Sequence, residues 1–310
     1  MRFNIAIPTH LRDELLVRTL ESLSNAVIPD NFQHVFVIEN GTRCEAENIC
    51  RKYSKSLPLI YKYQETAGKA RALQLVINEL KDGFVLFLDD DVRVSKTLLI
   101  EYNKAISRHG SAYIYGGPIL IDYQAEPEAW LKKYLPPSVT GWSRNDVTIP
   151  YIEHGYFLGA NYGVFAEDII NAGGFLYEIG PGSQVEGTYG NPVGVEVDIQ
   201  NRLLQSGKKR YYIKDAMVWH YVPRERCTPD WMLHRTYRRE MTARFLLERN
   251  SSETRWLLNK VPMKLWLQLP VYIFLSIFAG FIPDARIRFQ LKREYYKLKG
   301  QISGYQLARK

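Results

Sequence analysis

Residues Phe84–Asp91 read Phe-Val-Leu-Phe-Leu-Asp-Asp-Asp, so five apolar residues stand directly before three carboxylates. A short apolar run rich in strand-forming residues predicts a strand that is buried on both faces. In an open α/β sheet the carboxyl ends of the strands form the ligand crevice, and the three acids fall at such an end. Adjacent carboxylates repel one another, and a divalent cation held by oxygen ligands would relieve that repulsion. The stretch therefore predicts a cation site, with a solvated acidic turn as the alternative.

This strand belongs to a repeated alternation of strands and helices. Four strands are predicted in the first part of the chain, at Phe3–Ile7, Val35–Ile38, Pro58–Tyr63 and Phe84–Leu88. Helices are predicted between them, at Leu11–Leu23, Arg43–Tyr53 and Gly68–Leu80. Further elements are predicted as a helix over 95–107, a strand over 111–123 broken at Gly116, a helix over 195–206 and a strand over 211–213. This order is typical of a parallel sheet with right-handed crossovers.

Two glycine-bearing segments interrupt the alternation. Tyr156–Phe165 contains Gly159, Asn161 and Gly163, which predicts a backbone that passes close to a ligand. Residues 180–194 hold five glycines and two prolines. That composition predicts a mobile loop long enough to act as a lid.

The positive charge of the chain is concentrated at one end. The 310 residues carry 41 Lys and Arg against 33 Asp and Glu, a net charge of +8. Residues 221–310 hold 18 basic and 7 acidic residues, a net of +11, so residues 1–220 hold 23 and 26, a net of −3. This asymmetry predicts an anionic partner for the last part of the chain, either a membrane surface or phosphates.

The same end of the chain contains an apolar segment. Residues 265–282 carry no charge over 18 positions, which is short for a spanning helix, and Pro270 would kink it. Basic residues stand on both sides of the segment: Lys260, Lys264, Arg286, Arg288, Lys292 and Arg293. Charges on both sides favour an in-plane or re-entrant membrane anchor, and a helix buried against the main domain is the alternative.

The cysteines and the N-terminus predict a cytoplasmic protein. Cys44, Cys50 and Cys227 are odd in number and lack metal-site spacing, which favours a reducing compartment. The first predicted strand begins at Phe3, so no signal peptide is expected. Together with the basic end, this predicts a peripheral protein at the inner face of the cell membrane.

Six segments in order resemble the motifs of family 2 glycosyltransferases, which are inverting enzymes of the GT-A fold that use nucleotide-sugars. The resemblance covers about residues 3–222. The segments are Pro8–Arg12, Val37–Thr42, Gly68–Arg71, Phe87–Asp91 with its Asp-x-Asp pattern, Gly173–Phe175, and Gly194–Leu203.

The resemblance implies a fold and a donor site. The implied fold is α/β, a GT-A domain over 1–222 with a Rossmann-like mixed sheet flanked by helices. Beyond the resemblance, the charge and apolar pattern of residues 223–310 predict a helical, amphipathic extension that is a candidate for membrane association. The residues implied to bind the nucleotide-sugar are Pro8, Thr9, Arg12, Glu39, Arg71, Asp89 and Asp90. Glu39 stands where the family has Asp, so its carboxylate still accepts a base N–H but reaches one methylene further.

A divalent cation, Mn²⁺ or Mg²⁺, is implied at the Asp-x-Asp pattern. Asp91 would hold it most directly, while Asp89 would contact the ribose or the metal. In relatives a histidine at the position of His220 can join the metal or the diphosphate, and a structural histidine is the alternative. An imidazole ligand in a site otherwise made of oxygens would favour Mn²⁺.

The acceptor hydroxyl needs a base on the face of the sugar opposite the diphosphate. Glu196 is the implied base, and Asp198 is the alternative, because Val195-Glu196 stands where the family has Glu-Asp. The start of a helix stabilises an ionised carboxylate, which suits a base. An acid that serves only the helix dipole is the other interpretation of Glu196.

Several further side chains are candidates for substrate contacts. Arg235, Arg238 and Arg239 share one face at helical spacing and would hold a diphosphate of the donor or of a lipid-linked acceptor. A solvated or lipid-facing basic helix is the alternative. Trp142 and Tyr162 are candidates for stacking on sugar rings.

The sequence thus predicts an inverting glycosyltransferase that uses a UDP- or dTDP-sugar. Its predicted acceptor is a glycan or polyprenol-linked glycan in cell-surface polysaccharide synthesis. A sugar nucleotidyltransferase and a non-catalytic glycan-binding module are the alternatives. Pro8-Thr9-His10 follows the first strand instead of Gly-x-Gly-x-x-Gly, which argues against a dinucleotide-dependent oxidoreductase. No nucleic-acid-binding motif accompanies the basic end, so no nucleic-acid partner is expected.

Overall fold

A computed structural model describes residues 1–144, 151–182, 193–249 and 257–308. By their contacts these residues group into two compact units. The first comprises residues 1–123, 136–144, 151–182 and 194–222, and the second comprises 124–135, 193, 223–249 and 257–308. The division into domains at residue 222 stays a prediction. The second compact unit begins again at Pro223 and includes Gln124–Leu135 as well.

The described part of the first unit contains two sheets. Their strands are β1 (Phe3–Thr9), β2 (Phe32–Asn40), β3 (Leu59–Gln64), β4 (Phe84–Phe87), β5 (Val92–Val94), β6 (Tyr113–Gly116), β7 (Ile119–Tyr123), β8 (Tyr162–Phe165), β9 (Lys209–Tyr212) and β10 (Val218–Val222). The larger sheet has the order β3-β2-β1-β4-β8-β6-β9, and the smaller has the order β5-β10-β7.

The helices of both units are α1 (Asp13–Ser24), α2 (Ala46–Tyr53), α3 (Lys69–Leu80), α4 (Leu98–His109), α5 (Ala129–Lys132), α6 (Pro137–Thr140), α7 (Ala166–Asn171), α8 (Val195–Gln205), α9 (Pro229–Glu248), α10 (Met263–Phe278) and α11 (Ala285–Ala308). α1, α3 and α4 bury apolar residues at helical spacing, as the sequence pattern predicts.

The larger sheet is mixed, which confirms the predicted α/β class. β1 pairs in parallel with β2 and β4, while β8 runs antiparallel to β4. β4 lies between β1 and β8, and all of its residues are buried, because a strand with neighbours and helices on both faces excludes water. The carboxyl end of β4 therefore emerges near the middle of the sheet.

The strand predicted over 111–123 is two strands in different sheets. β6 pairs with β8 and β9, whereas β7 pairs with β10. A Cβ built at Gly117, between them, would lie 2.1 Å from the carbonyl oxygen of Ala216. Only glycine allows the two backbones to pass this closely, and the chain changes sheet there.

The prediction that Tyr156–Phe165 approaches a ligand is wrong for two of its three residues. A Cβ at Gly163 would lie 2.4 Å from the ring of Phe84, so this glycine makes room for a core side chain. The side chain of Asn161 is buried and donates to the carbonyl oxygens of Pro118 (3.1 Å) and Ala216 (2.8 Å). Gly163 therefore serves packing within the larger sheet, and Asn161 ties it to the segments that enter the smaller sheet, while Gly159 lies beside the polar groups described below.

The second unit packs helix on helix. A Cβ at Gly300 of α11 would lie 2.4 Å from the carbonyl oxygen of Tyr237, and one at Gly304 would lie 2.5 Å from that of Met241. These glycines let α11 cross α9 at close range. One side of α10 packs on α11 through a small apolar cluster that contains Leu265, Leu298, Ile302 and Tyr305.

Candidate active site

Three potential metal ligands meet at the carboxyl end of β4. The ligand atoms of Asp89, Asp91 and His220 all lie within 4.8 Å of one another. Asp91 and His220 are each 4% exposed, and His220 Nε2 lies 3.2 Å from Asp91 Oδ1. Two carboxylates and one imidazole are a donor set that fits a divalent cation such as Mn²⁺.

The smaller sheet brings His220 to the acids. β10 runs antiparallel to β5, and this register places His220 opposite Val92, the residue after Asp91. The backbone N–H of Tyr221 donates to the carbonyl oxygen of Asp91 at 2.8 Å. A residue more than 120 positions away along the chain thus lies beside the acidic stretch through strand pairing.

The middle acid, Asp90, points into the protein. It accepts hydrogen bonds from Thr9 Oγ1 at 2.8 Å and from Arg12 Nη1 at 3.1 Å. Burial, and then the neighbouring Asp91 carboxylate, raise the pKa of Asp90 to about 6. Asp90 therefore fixes the ends of β1 and β4, and the predicted donor residues Thr9 and Arg12 both contact it.

Two protein cations share the charge of the three acids. Arg12 Nη1 also donates to Asp91 Oδ2 at 3.0 Å, and Lys69 forms an ion pair with Asp89. Burial lowers the pKa of Lys69, but Asp89, Glu196 and Asp91 outweigh burial and raise it. Arg12 and Lys69 therefore relieve part of the repulsion among the aspartates that the sequence analysis assigned to a cation.

The ends of β2 and β3 form a second polar cluster around Glu39. Its buried carboxylate accepts from the N–H of Cys44 and from the hydroxyl of Tyr61, both at 2.6 Å. Burial and the bond to Glu39 raise the pKa of Tyr61, so its hydroxyl stays protonated. The predicted contact of Glu39 with a base stays a prediction.

Asn40 links three elements at this edge of the sheet. Its Nδ2 donates to the carbonyl oxygen of Thr9 at 2.7 Å, and its Oδ1 accepts from the N–H of Gly68 at 2.9 Å. Gly68 has φ +149°, which favours glycine, and α3 begins directly after it with Lys69. Asn40 lies in the segment Val37–Thr42 that resembles a family motif, but its role in placing Lys69 and Arg71 was not predicted.

The structure separates the two candidate bases. Asp198 is bound by Arg202 one turn later in α8, with Nε to Oδ2 at 3.1 Å, and Arg202 also donates to the carbonyl oxygen of Ala172. The carboxylate of Glu196 has no hydrogen bond or ion pair within the described part of the chain. A Cβ built at Gly159 would lie 2.9 Å from Lys69 Nζ and 3.6 Å from Glu196 Oε2. Glu196 thus lies on the side of Lys69 and the metal cluster.

The remaining predicted residues lie in several places. Pro8 is buried within β1, and the guanidinium of Arg71 lies over the ring of Tyr177 at 4.5 Å. Arg235 and Arg238 belong to α9 of the second unit, and their contact with a diphosphate stays a prediction. Most of the predicted lid, residues 183–192, lies outside the described residues.

The aromatic stacking prediction is wrong for Tyr162. Its ring is 1% exposed and stacks on Phe87 with centroids 4.9 Å apart, so no sugar can reach its face. Trp142 packs edge-on against Phe157 and Tyr212, at 5.6 and 5.4 Å. Tyr162 is buried because it lies in β8, which pairs with β4, and Trp142 is half-buried beside its bridge to Ile119.

Comparison with known proteins gives matches at the level of family and of fold. The family model for Glycosyl transferase family 2 matches residues 4–163. Poly(ribitol-phosphate) beta-N-acetylglucosaminyltransferase TarS of Staphylococcus aureus, from two strains, is 23% identical over 138 residues. This match covers 44% of the chain and about a quarter (24%) of the length of these relatives.

Two solved structures share the fold. The mannosyltransferase PcManGT of Pyrobaculum calidifontis, in complex with GDP-Man and Mn²⁺, has a TM-score of 0.60 at 15% identity and covers 98% of this chain and 86% of its own. A truncated S. aureus TarS in complex with UDP-GlcNAc has a TM-score of 0.51 at 15% identity, with coverages of 97% and 89%.

Proposed function

The chain belongs to glycosyl transferase family 2, and we propose that it transfers a sugar with inversion from a nucleotide-sugar to a glycan or polyprenol-linked glycan. The family and the mixed α/β fold predicted from the sequence are thereby confirmed. The observation that carries the proposal is the cluster of Asp89, Asp91 and His220, with the Glu196 carboxylate beyond Lys69 left unpaired by the described residues.

Asp89, Asp91 and His220 would hold a divalent cation, with Mn²⁺ favoured over Mg²⁺ by the imidazole. When bound, the cation would act as a Lewis acid that neutralises charge on the departing diphosphate. The chain itself supports this role, because Arg12 binds the Asp91 carboxylate and is itself held by Asp90. Arg71, in the first turn of α3, is proposed to approach the donor phosphates.

Glu196 is proposed to accept the proton of the acceptor hydroxyl. It lies in the first turn of α8, where the free N–H groups stabilise a carboxylate. The described part of the chain leaves its oxygens unbonded, so they are available to an incoming hydroxyl. Asp198 is less suited, because the guanidinium of Arg202 already binds its carboxylate.

The donor is proposed to be a UDP- or dTDP-sugar. The two fold relatives were solved with UDP-GlcNAc and with GDP-Man, which supports a nucleotide-sugar as the class of donor. The proposed role for Glu39 is to accept an N–H from the base, using the lone pairs that Cys44 and Tyr61 leave open.

The test is a screen of UDP-, dTDP- and GDP-sugars, each with Mn²⁺, Mg²⁺ or EDTA. We expect one nucleotide series to be hydrolysed or transferred with Mn²⁺ and the activity to be lost with EDTA. Stabilisation by the free nucleotide should follow the same preference, because ligand binding raises the melting temperature by mass action. Pyrophosphate release from a nucleoside triphosphate would instead identify a nucleotidyltransferase, and binding without turnover would identify a glycan-binding module.

The second unit is proposed to bind an anionic membrane at the inner face of the cell membrane. Within the described residues, one helix, Met263–Phe281, is long and apolar enough to span a membrane, and only 11% of its apolar window is buried. Five apolar side chains, each three or four residues after the previous one, are 50–80% exposed, and we call them the apolar stripe. They are Leu267, Val271, Phe274, Phe278 and Phe281. The low burial of this helix supports the proposal of a membrane contact.

Basic residues at both ends of this stripe favour lipid over a second copy of the chain. Lys264 precedes the stripe and is exposed, and Arg286 follows it and is exposed as well. A second copy of the chain would bring the same positive charges together, whereas anionic headgroups would neutralise them. The stripe is therefore proposed to enter the headgroup boundary of the bilayer.

Replacing Phe274 and Phe278 by Glu is expected to reduce binding to phosphatidylglycerol-containing vesicles by about tenfold or more, because two exposed apolar rings would no longer enter the bilayer. Cosedimentation of the full chain with the vesicles measures this. Ile170→Glu, at an exposed apolar position of the first unit, is the control and should bind as wild type does. Unchanged vesicle binding of the double variant would contradict the membrane proposal. A wild-type protein that is a dimer and a double variant that is a monomer would contradict it as well, because the stripe would then bind a second copy of the chain.

A further inference from the structure

The hydroxyl of Tyr162 is buried without a hydrogen-bond partner among the described residues. A buried hydroxyl without a partner costs stability, and natural structures contain few of them. The ring cannot turn away, because β8 pairs with β4 in a register that places Tyr162 opposite Phe87, on which it stacks. Tyrosine at a position where phenylalanine would pack equally well suggests that the hydroxyl serves a ligand.

Tyr162 stacks on Phe87, two residues before the metal-cluster residue Asp89, and its hydroxyl is influenced by the charges of Asp89 and of the proposed base Glu196. Burial raises its pKa, and the carboxylates of Glu196 and Asp89 lie close enough to raise it further, so the group stays a protonated donor. The Lys69 ammonium has the same two neighbours, since it pairs with Asp89 and lies near Glu196. Gly159 leaves room for the Lys69 ammonium here, because a Cβ there would lie 2.9 Å from Lys69 Nζ.

Inverting transfer fixes where the donor sugar must lie. The diphosphate leaves from the metal side, and the acceptor hydroxyl attacks from the opposite face beside the base. The sugar ring therefore occupies the space between Asp89 and Glu196, which Lys69, Tyr162 and Gly159 border. Of these three residues, the sequence predicted Tyr162 as a stacking ring and Gly159 as part of a segment close to a ligand, whereas Lys69 was not predicted.

We propose that Lys69 and Tyr162 bind hydroxyl groups of the transferred sugar and determine which sugar is accepted. The inference rests on the proposed function. A site built to donate to a sugar hydroxyl discriminates strongly against an analogue that lacks it, because the buried donor is then left unpaired.

The test compares Tyr162→Phe with wild type in three measurements. We expect kcat/KM for the nucleotide-sugar identified in the screen to fall about 10- to 100-fold, as for loss of one buried hydrogen bond to substrate. The Kd of the free nucleoside diphosphate with Mn²⁺ should change less than twofold. The melting temperature should stay the same or rise, because an unpaired buried hydroxyl is removed.

Tyr115→Phe is the matched control. Tyr115 is also fully buried, but its hydroxyl donates to the carbonyl oxygen of Gly110 at 2.6 Å. This variant should lower the melting temperature and leave the ratio of donor to nucleotide affinity unchanged. Lys69→Met should lower kcat/KM by a larger factor than it lowers nucleotide affinity, although some loss of affinity is expected because Lys69 also pairs with Asp89 of the metal cluster.

Deoxy-sugar donors complete the test. The loss in Tyr162→Phe should disappear with the analogue that lacks the hydroxyl bound by Tyr162. Equal losses for the sugar donor and the free nucleotide, or unchanged kcat/KM in Tyr162→Phe, would overturn the inference. If the wild-type protein turns over no nucleotide-sugar, the proposed function is wrong. If the wild type is active but Tyr162→Phe shows no selective loss with the sugar donor, only the inference about Tyr162 and Lys69 is wrong.

Discussion

Asp91→Asn is expected to lower metal-dependent sugar transfer by about 1,000-fold, which corresponds to ~4 kcal/mol of transition-state stabilisation. The Asp91 carboxylate contacts both His220, another proposed metal ligand, and Arg12, which holds the carboxylate in place. The amide keeps the shape of the side chain but removes the charge that a cation needs. Initial rates at saturating Mn²⁺, and the loss of Mn²⁺-dependent stabilisation by nucleotide, measure the effect.

Asp122→Asn is the control for Asp91→Asn. Asp122 is half-exposed in β7 and pairs with Arg18 at 2.8 Å, so the substitution removes one carboxylate charge from the surface of the same unit. Surface ion pairs contribute little, and this variant should retain activity within about twofold. Metal-dependent activity that survives in Asp91→Asn would remove the metal cluster from the proposed mechanism.

Glu196→Gln is expected to reduce kcat by about 10³-fold, within the range observed for loss of a general base. The amide cannot accept the proton of the acceptor hydroxyl, whereas the fold should tolerate it because no described side chain bonds the Glu196 carboxylate. The Kd of the nucleotide with Mn²⁺ should stay within about twofold of wild type, since binding precedes proton transfer. Transfer assays and nucleotide titrations of the same preparation separate the two quantities.

Asp198→Asn distinguishes the two candidate bases. It weakens the ion pair with Arg202 and should therefore lower the melting temperature, with a small effect on kcat. If Glu196→Gln retains turnover while Asp198→Asn loses it, the role of base moves to Asp198. If both retain turnover, neither carboxylate abstracts the proton.

Local sequence patterns predicted the backbone elements well, because each depends on residues close in the chain. The five apolar residues before Asp89 form or extend the buried strand β4, and the helical spacing after Gly68 gives α3. The sequence predicted the break at Gly116, but it did not predict that the segments before and after the break belong to different sheets. Membership in a sheet depends on contacts with strands far away in sequence, and no local pattern encodes those.

The site was predicted in part for the same reason. Asp89 and Asp91 follow one strand, and a resemblance to known motifs pointed to His220. Lys69 was missed although it lies inside the segment Gly68–Arg71, because its pairing with Asp89 needs α3 and β4 to lie side by side. Tyr162 was interpreted as a stacking ring, since burial of its face against Phe87 follows only from strand pairing.

The sequence by itself determined the family, the order of strands and helices, and the acidic stretch at the end of a buried strand. Those features depend on residue type and short-range spacing, which a linear chain displays directly. Only the tertiary structure decided that Arg12 and Lys69 form ion pairs with the aspartates. It also decided that Arg202 binds the Asp198 carboxylate, whereas the Glu196 carboxylate has no hydrogen bond in the described part of the chain. Charge compensation between side chains acts over a few ångströms of space, and folding sets those distances independently of separation along the chain.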